Sequence, residues 1–168
     1  MIANLIEFAF RRAAVLLLIA AMAVLGSALT SQYVGGLQPC VLCLYQRWPY
    51  VVVIVLAAIA LALPPRARAA ALGLAGLALW VGAGIAAFHV GVEQGWWQGT
   101  AECGGIDSGA DSVDALRAQL LGTPIVRCDV VPWSLFGISM AGYNFLLSIP
   151  LGGAVLIAAR RLTGESRR

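Results

Sequence analysis

Hydrophobic residues run along this chain in four long, largely uncharged blocks, and short polar segments separate them. A helix that crosses a membrane needs roughly 20 mainly apolar residues, because the hydrocarbon core is about 30 Å thick and each helical residue rises about 1.5 Å. The four blocks approach or exceed this length. We therefore predict membrane-spanning helices near residues 13–30, 44–63, 69–90 and 138–159.

The arginines indicate how these spans are oriented. Because short cytoplasmic segments of membrane proteins are enriched in arginine and lysine, the side with more arginines is predicted to be the cytoplasmic one. Both termini then face the cytoplasm, and the loops near residues 31–43 and 91–137 face outward. Seven of the nine tryptophans and tyrosines lie in these loops or near the same outer boundary. The arginines on the cytoplasmic side are Arg11, Arg12, Arg66, Arg68, Arg160, Arg161, Arg167 and Arg168.

The composition agrees with a membrane protein. The chain of 168 residues is 61% hydrophobic and 11% charged, with a net charge of +3 and a mean hydropathy of +0.88. A soluble domain has about a quarter of its residues charged, so a disordered chain, a nucleic-acid binder and an ordinary soluble enzyme all fit poorly. We predict an all-α fold, an integral membrane four-helix bundle that forms a single domain over residues 1–168.

The first span also has the polarity of a cleaved signal peptide, because Arg11 and Arg12 precede it. Its apolar stretch of about 17 residues exceeds the usual 7–15 residues of a signal peptide. We therefore expect the segment to remain in the protein as a helix.

The large outer loop contains a predicted short amphipathic helix over residues 112–121. Ser112 is a capping-type residue, and Val113, Leu116 and Leu120 follow with helical spacing. Such a helix either lies flat on the membrane surface or packs against the rest of the loop.

All four cysteines lie in the outer loops or at the start of the helix beside them. Cys40 and Cys43 form a Cys-x-x-Cys unit, whereas Cys103 and Cys128 are 25 positions apart. Three pairings are possible. A bridge within Cys-x-x-Cys closes a very small ring and adds little stability, so this motif more often serves redox exchange or metal binding. Its place at a helix N-terminus favours a thiolate, and we expect the other two cysteines on an exposed, flexible loop.

Two polar residues near the predicted outer ends of the spans are candidates for chemistry. Arg47 lies four residues after Cys43, on the same helix face, where it would stabilise a Cys43 thiolate or a bound anionic group. The alternative is that Arg47 only anchors the helix at the interface. His89, near the outer end of the third span, is either part of the site or an interfacial histidine without a chemical role.

Other interpretations of the cysteines remain open. Cys40 and Cys43 could form half of a zinc site that Cys103, Cys128 or His89 completes, although the second pair lacks the close spacing usual for zinc, and we therefore predict no metal. Two structural disulfides in a tetraspan structural or transport protein are a further alternative.

Several segments together resemble the bacterial disulfide bond formation protein B (DsbB) family. The stretch Pro39-Cys40-Val41-Leu42-Cys43-Leu44-Tyr45-Gln46-Arg47 is similar to the first outer loop of that family. The pair Cys103 and Cys128, with the segment Trp133-Ser134-Leu135-Phe136-Gly137-Ile138-Ser139-Met140, is similar to the second. The resemblance extends over the whole chain, with four spans, both ends inside and two cysteine pairs outside.

The resemblance implies a mechanism. A soluble periplasmic thiol oxidase of the DsbA type attacks Cys103 of a Cys103–Cys128 disulfide, Cys128 engages Cys40, and Cys43 is released as a thiolate that reduces ubiquinone or menaquinone. Arg47, His89 and Met140 match residues near the quinone in the family. The partners implied are a DsbA-type oxidase and the membrane quinone pool, and the location is the bacterial inner membrane with the cysteines facing the periplasm. A quinone reductase of the vitamin K epoxide type is a rival within the enzymes.

Overall fold

The computed structural model describes residues 12–104 and 126–165, which form a bundle of long helices. A short 3₁₀ turn at Ala101–Gly104 and a small hairpin complete the described structure. The predicted amphipathic helix at residues 112–121 lies outside the described residues. The helices are α1 (Ala13–Tyr33), α2 (Val41–Tyr45), α3 (Arg47–Ala62), α4 (Pro65–Glu93) and α5 (Met140–Glu165).

Four segments of the described chain are long and apolar enough to cross a membrane, and the predicted all-α membrane four-helix bundle is confirmed. The observed spans are somewhat longer than the predicted ones. The first three extend further at the cysteine end, where the second begins at Val41, and the fourth begins later there but extends further at the opposite end. The segments are Ala13–Tyr33, Val41–Ala62, Arg66–Glu93 and Met140–Thr163.

The second span is interrupted at Gln46, which separates α2 from α3. Pro49 has no N–H to donate to the carbonyl of Tyr45, four residues earlier, so the regular ladder of helical hydrogen bonds is broken there. The interruption lies beside the Cys-x-x-Cys motif. It places a polar side chain, that of Gln46, in the interior of the bundle.

The turn between α3 and α4 is shorter than the predicted spans imply, because Arg66 and Arg68 already belong to α4. Pro64 caps α4 and Pro65 occupies its first position, where a missing N–H costs little. Arg68 then reaches back, and its guanidinium donates to the carbonyl oxygens of Ala60 at 3.0 Å and Leu63 at 3.1 Å. The Ala60 carbonyl also accepts the backbone N–H of Leu63 at 3.4 Å, and a cation is favoured beside the carbonyl oxygens at a helix C-terminus.

A β-hairpin precedes the last span. Strands β1 (Ser134–Leu135) and β2 (Ile138–Ser139) pair in antiparallel register, with Ser134 opposite Ser139. The two-residue turn has positive φ angles at Phe136 (50°) and Gly137 (77°), which suits the twist of a tight hairpin. As a result α5 begins at Met140, two residues later than the predicted start of this span.

Packing in the bundle is closest between α4 and α5, and α3 packs between α4 and α1. Glycines allow the close approach, because a Cβ at Gly76 would lie 2.8 Å from Leu156 Cγ, and one at Gly152 would lie 2.6 Å from Trp80 Cδ1. By contrast, α1 and α5 have few contacts with each other. The gap between them leads to the cysteine-bearing end of the bundle.

Candidate functional site

The Cys-x-x-Cys motif caps a helix, as the sequence predicts. Cys40 is the N-cap residue of α2, and its sulfur accepts a hydrogen bond from the backbone N–H of Cys43 at 3.3 Å. The two sulfur atoms are 2.8 Å apart, and both cysteines are free thiols. The hydrogen bond from the Cys43 thiol outweighs burial and, with a further bond from His89, lowers the pKa of Cys40 to about 4. These hydrogen bonds favour a thiolate at Cys40 in the reduced pair, and the Cys43 thiolate that we expected from the sequence stays a prediction.

Cys103 and Cys128 form a disulfide, with their Cα atoms 5.2 Å apart. We expected an exposed loop around these cysteines, and this expectation is wrong for the cysteines themselves: Cys103 is 8% exposed and Cys128 only 1%. Both pack into one apolar cluster with Cys40, Leu42 and Val92. The reason is that a disulfide is itself apolar and finds a dry surface at the ends of α2 and α4.

His89 lies between the two cysteine pairs and is almost fully buried, at 3% exposure. Its Nε2 atom is 3.6 Å from the Cys40 sulfur and 3.2 Å from the carbonyl oxygen of Cys128. Its Nδ1 atom is 2.7 Å from the side-chain nitrogen of Gln46. The imidazole thus contacts both cysteine pairs from a buried position, and its chemical role stays a prediction.

A polar network inside the bundle continues from His89, and the sequence analysis missed it. Asn144 Nδ2 donates to Gln46 Oε1 at 2.6 Å, and the Tyr50 hydroxyl donates to Asn144 Oδ1 at 2.7 Å. Ser148 closes the network, with its hydroxyl 2.8 Å from that of Tyr50. The sequence did contain a signal for this network, because uncharged polar residues within an apolar span usually face the interior of the bundle.

Glu93 is a second residue that the sequence analysis passed over. It lies one turn after His89, and its side chain is 3% exposed, with Oε1 3.9 Å from His89 Nε2. The Ser139 hydroxyl donates to its other oxygen at 2.5 Å. Thus β2 and α4 together hold a buried carboxyl group beside the imidazole.

Arg47 lies at the same end of the bundle, and its expected effect on a Cys43 thiolate stays a prediction. Its Nη1 atom donates to Gln32 Oε1 on α1 at 2.5 Å. This hydrogen bond joins α1 to α3 across the bundle. It leaves the guanidinium half-buried at the wall of a cavity.

The cavity has a volume of about 410 Å³ and lies in the gap between α1 and α5. Its wall is mainly apolar and includes Val24, Leu25 and Ala28 of α1. Small-molecule sites are typically apolar clefts of this order, about 300–1,000 Å³, with a few polar groups. The sequence-predicted Arg47, His89 and Met140 all line it, together with Cys43, Gln46 and Asn144.

Three ligand-type side chains also come together within the described part of the chain. The sulfur atoms of Cys40 and Cys43 and a ring nitrogen of His89 lie within 4.8 Å of one another. Two thiolates and an imidazole are a donor set that suits zinc. Cys103 and Cys128 are bonded to each other and so offer no thiolate to such a site.

Comparisons with known proteins identify close similarities. The family model described as "Disulfide bond formation protein DsbB" matches residues 10–158. A protein of Chromohalobacter salexigens described as "Disulfide bond formation protein B" is 33% identical, over 96% of this chain and 99% of its own. A protein of Methylobacillus flagellatus with the same description is 32% identical, over 90% and 94% of the two chains. No solved structure matches the chain.

Proposed function

This chain belongs to the DsbB family of disulfide bond formation proteins, and we propose that it is a quinone-linked thiol oxidase, which reoxidises a soluble periplasmic dithiol oxidase of the DsbA type. It is a multi-pass membrane oxidoreductase that acts in protein disulfide bond formation. One observation carries the proposal: a disulfide and a Cys-x-x-Cys pair both pack around His89, beside an apolar cavity that opens between two spans.

We place the protein in the bacterial inner membrane with both termini in the cytoplasm. The support is the distribution of arginines, eight of which flank the ends of the spans opposite the cysteines. The cysteine-bearing end then faces the periplasm, where thiols become oxidised and stay so. A soluble dithiol partner would meet the protein at this end.

The first exchange steps follow from the chemistry of thiols and disulfides. A thiolate of the partner attacks the Cys103 sulfur, a mixed disulfide forms, and Cys128 leaves as a thiolate. Of the two bonded cysteines, Cys103 is the more exposed, which supports it as the sulfur that is attacked. The second thiol of the partner later displaces Cys103, and the partner leaves as a disulfide.

The oxidising equivalents come from the other pair. Cys128 attacks Cys40 of a Cys40–Cys43 disulfide, and Cys43 leaves as a thiolate. When Cys103 then displaces Cys40 from Cys128, the Cys103–Cys128 disulfide re-forms and Cys40 and Cys43 are both reduced. That is the bonding pattern found here, one disulfide and one pair of free thiols.

The cavity beside Cys43 fits a quinone ring, because it is mainly apolar and carries a cation and hydrogen-bonding groups at one end. A bound quinone supplies a two-electron, two-proton acceptor, which balances the two electrons and two protons lost by the partner dithiol. Arg47, His89 and Met140 would hold the ring, and Cys43 faces the cavity as the electron donor. Ubiquinone or menaquinone would serve.

The test uses the purified protein in detergent with a reduced DsbA-type partner and ubiquinone, and follows quinone absorbance. We expect quinone reduction that matches partner oxidation, and its loss in Cys43→Ala. Cys103→Ala should block oxidation of the partner and leave quinone binding intact. If quinone is not reduced and both cysteine pairs stay inert, the proposal is wrong.

The arrangement of Cys40, Cys43 and His89 favours a second candidate, a membrane metal-binding protein. Metal analysis of the purified protein separates the two. Stoichiometric zinc with thiols that never cycle would support metal binding and contradict the thiol oxidase.

A further inference from the structure

The side-chain amide of Gln46 has only one orientation that satisfies its neighbours. One of its two polar atoms lies 3.3 Å from the carbonyl oxygen of Leu42, which can only accept a hydrogen bond, so this atom must be the nitrogen. The other atom is then the oxygen, and it accepts from Asn144 Nδ2 at 2.6 Å. Gln46 is 6% exposed, so in the opposite orientation its oxygen would face the Leu42 carbonyl oxygen in a largely buried place.

This orientation determines which nitrogen of His89 carries the proton. The Gln46 nitrogen that faces Leu42 also lies 2.7 Å from His89 Nδ1, so Nδ1 must accept and has no hydrogen. The ring proton of neutral His89 is therefore on Nε2, which faces the Cys128 carbonyl oxygen and the Cys40 sulfur. We propose that Gln46 is a positioning residue, which holds His89 as the Nε2–H tautomer and so directs its N–H toward the Cys128 carbonyl oxygen and the sulfur of Cys40.

This inference deepens the proposed function. The importance of the tautomer for thiol exchange rests on that function. Thiol exchange needs a thiolate, and an N–H directed at the Cys40 sulfur stabilises that charge. The lowered pKa of Cys40, to which the His89 hydrogen bond contributes after that of Cys43, agrees with this arrangement.

The groups around the imidazole act in opposite directions: a Cys40 thiolate and an ionised Glu93 favour its charged form, whereas the fixed amide of Gln46 favours its neutral form. Its titratable neighbours are Cys40 at the start of α2 and Glu93 on its own helix, and its polar neighbours are Gln46 and the Cys128 carbonyl. A second proton on Nδ1 would point at the Gln46 N–H. The amide would have to turn over and place its oxygen against the Leu42 carbonyl, so the fixed amide opposes the imidazolium.

Asn144 on α5 holds the other end of the amide through its hydrogen bond to Gln46 Oε1. Asn144 is held in turn by the hydroxyls of Tyr50 and Ser148, which lie 2.7 Å and 3.1 Å from its Oδ1 atom. Hydroxyl groups rotate to suit their neighbours, so they accept this arrangement but do not impose it. The backbone carbonyl of Leu42 is the fixed reference of the network.

The same tautomer works against a metal at this site. A zinc ion between Cys40, Cys43 and His89 would need the lone pair of Nε2, but that atom carries the proton. Gln46→Glu would supply an acceptor for Nδ1–H and free Nε2. We expect zinc affinity of the reduced protein to rise by at least about tenfold in this variant, in the range by which outer-shell partners alter metal sites.

The direct test uses the fact that the chain has a single histidine. The full-length protein, labelled with ¹⁵N-histidine and reduced in detergent, gives the protonation of each ring nitrogen by NMR without assignment. We expect Nε2 protonated and Nδ1 unprotonated at neutral pH in the wild type. In Gln46→Glu we expect the proton on Nδ1. Gln98→Glu, which adds the same charge at an exposed position, should leave the wild-type pattern unchanged.

Three results would overturn the inference: a wild-type proton on Nδ1, a wild-type imidazolium at neutral pH, or an unchanged pattern in Gln46→Glu. Should that variant fail to fold, Gln46→Met replaces it, and we expect the single tautomer to become a mixture. The NMR result does not depend on turnover. A wild-type protein with the expected tautomer and no quinone-coupled thiol oxidation would contradict the proposed function alone.

Discussion

At the scale of single residues, Cys40 differs from an ordinary thiol because hydrogen-bond donors surround its sulfur. The thiol of Cys43 lies at 2.8 Å, the Cys43 backbone N–H at 3.3 Å and His89 Nε2 at 3.6 Å. Burial opposes a charge there, yet the hydrogen bonds prevail and lower the pKa to about 4. The reduced pair thus carries its charge on the cysteine that faces the second disulfide.

The pH dependence of Cys40 alkylation tests this. Because its pKa is lowered to about 4, Cys40 is already a thiolate at pH 6, and its alkylation rate should change little between pH 6 and pH 8. An ordinary thiol would react roughly tenfold faster for each pH unit over this interval, since its pKa is about 8.5. Mass spectrometry of the Cys40 peptide, after timed reaction of the reduced protein with iodoacetamide, gives the rate. A steep rise in rate with pH would contradict the prediction.

Removing the guanidinium of Arg47 tests the cavity. Arg47→Ala should raise the KM for quinone roughly tenfold, which is about 1.4 kcal/mol of binding, and should alter thiol exchange less, because Arg47 lines the cavity and bonds Gln32 rather than a cysteine. Steady-state kinetics with varied quinone measure this. Arg127→Ala is the matched control, since that arginine is exposed and pairs with Asp129. An unchanged quinone KM in Arg47→Ala would remove Arg47 from the mechanism.

The sequence could predict the cysteines, Arg47 and His89 because their chemistry is unusual in an apolar chain. It could not predict Gln46, whose importance depends on where its amide lies relative to the Leu42 carbonyl and to His89 on another helix. Nor could it predict that Cys103 is buried. Contacts between segments far apart in the chain are not visible in the pattern of a single segment.

At the scale of whole elements, the contact between α4 and α5 is set by glycines. A Cβ at Gly152 would lie 2.6 Å from Trp80 Cδ1 and 3.2 Å from the Gly76 carbonyl oxygen. The indole of Trp80 is itself held in place, because its N–H donates to the carbonyl of Ile149 at 3.3 Å. The two helices therefore cannot stay at their present separation with a larger residue at this position.

Two neighbouring substitutions measure that constraint. Gly152→Ala should destabilise the bundle by about 1–3 kcal/mol, as overpacking of a close-packed interior does. Gly153→Ala, where a Cβ would meet nothing within 4 Å, should be neutral or stabilising by up to about 1 kcal/mol, because alanine favours the helix. Thermal unfolding midpoints in detergent give the comparison. Equal midpoints for the two variants would show that the α4–α5 contact tolerates the extra methyl group.

The helices themselves could largely be predicted from the lengths of the apolar runs in the sequence. Apolar runs predicted four spans, and four are found among the described residues. The observed helix boundaries differ from the predicted ones in the turn before α4 and in the hairpin before α5. α4 begins at Pro65 and so includes Arg68, whose guanidinium bonds the end of α3, and the hairpin turn before Met140 has positive φ angles at Phe136 and Gly137.

At the scale of the whole molecule, the sparse contact between α1 and α5 leaves the cavity open on one side of the bundle. Cys43 lines this cavity, whereas Cys40 packs with the Cys103–Cys128 disulfide in a separate apolar cluster. One face of the site is therefore reached between helices, and the other through the loops that carry Cys103 and Cys128. Two substrates of different solubility would enter from different directions.

A bulky substitution on α1 that fills the cavity should slow quinone reduction and leave thiol exchange in place. Ala28→Trp places a large ring in the cavity and should lower the rate of quinone reduction by at least about tenfold, because one lost contact of 1.4 kcal/mol already has that effect. Single-turnover thiol exchange with the reduced partner should persist. Ala58→Trp, at an exposed position of α3, is the control. Equal loss of quinone reduction in both variants would contradict a quinone site between α1 and α5.

Burial of the Cys103–Cys128 disulfide affects how readily small thiols in solution can reduce it. Disulfide exchange requires a thiolate to approach one sulfur in line with the bond, and access controls its rate. With 1% and 8% of the two cysteines exposed, a small diffusing thiol has almost no line of approach. A protein partner that binds the loop surface can displace the covering residues with its binding energy. Under the proposed function, this burial would protect the disulfide from free thiols, and electrons would reach the quinone only from a docked protein partner.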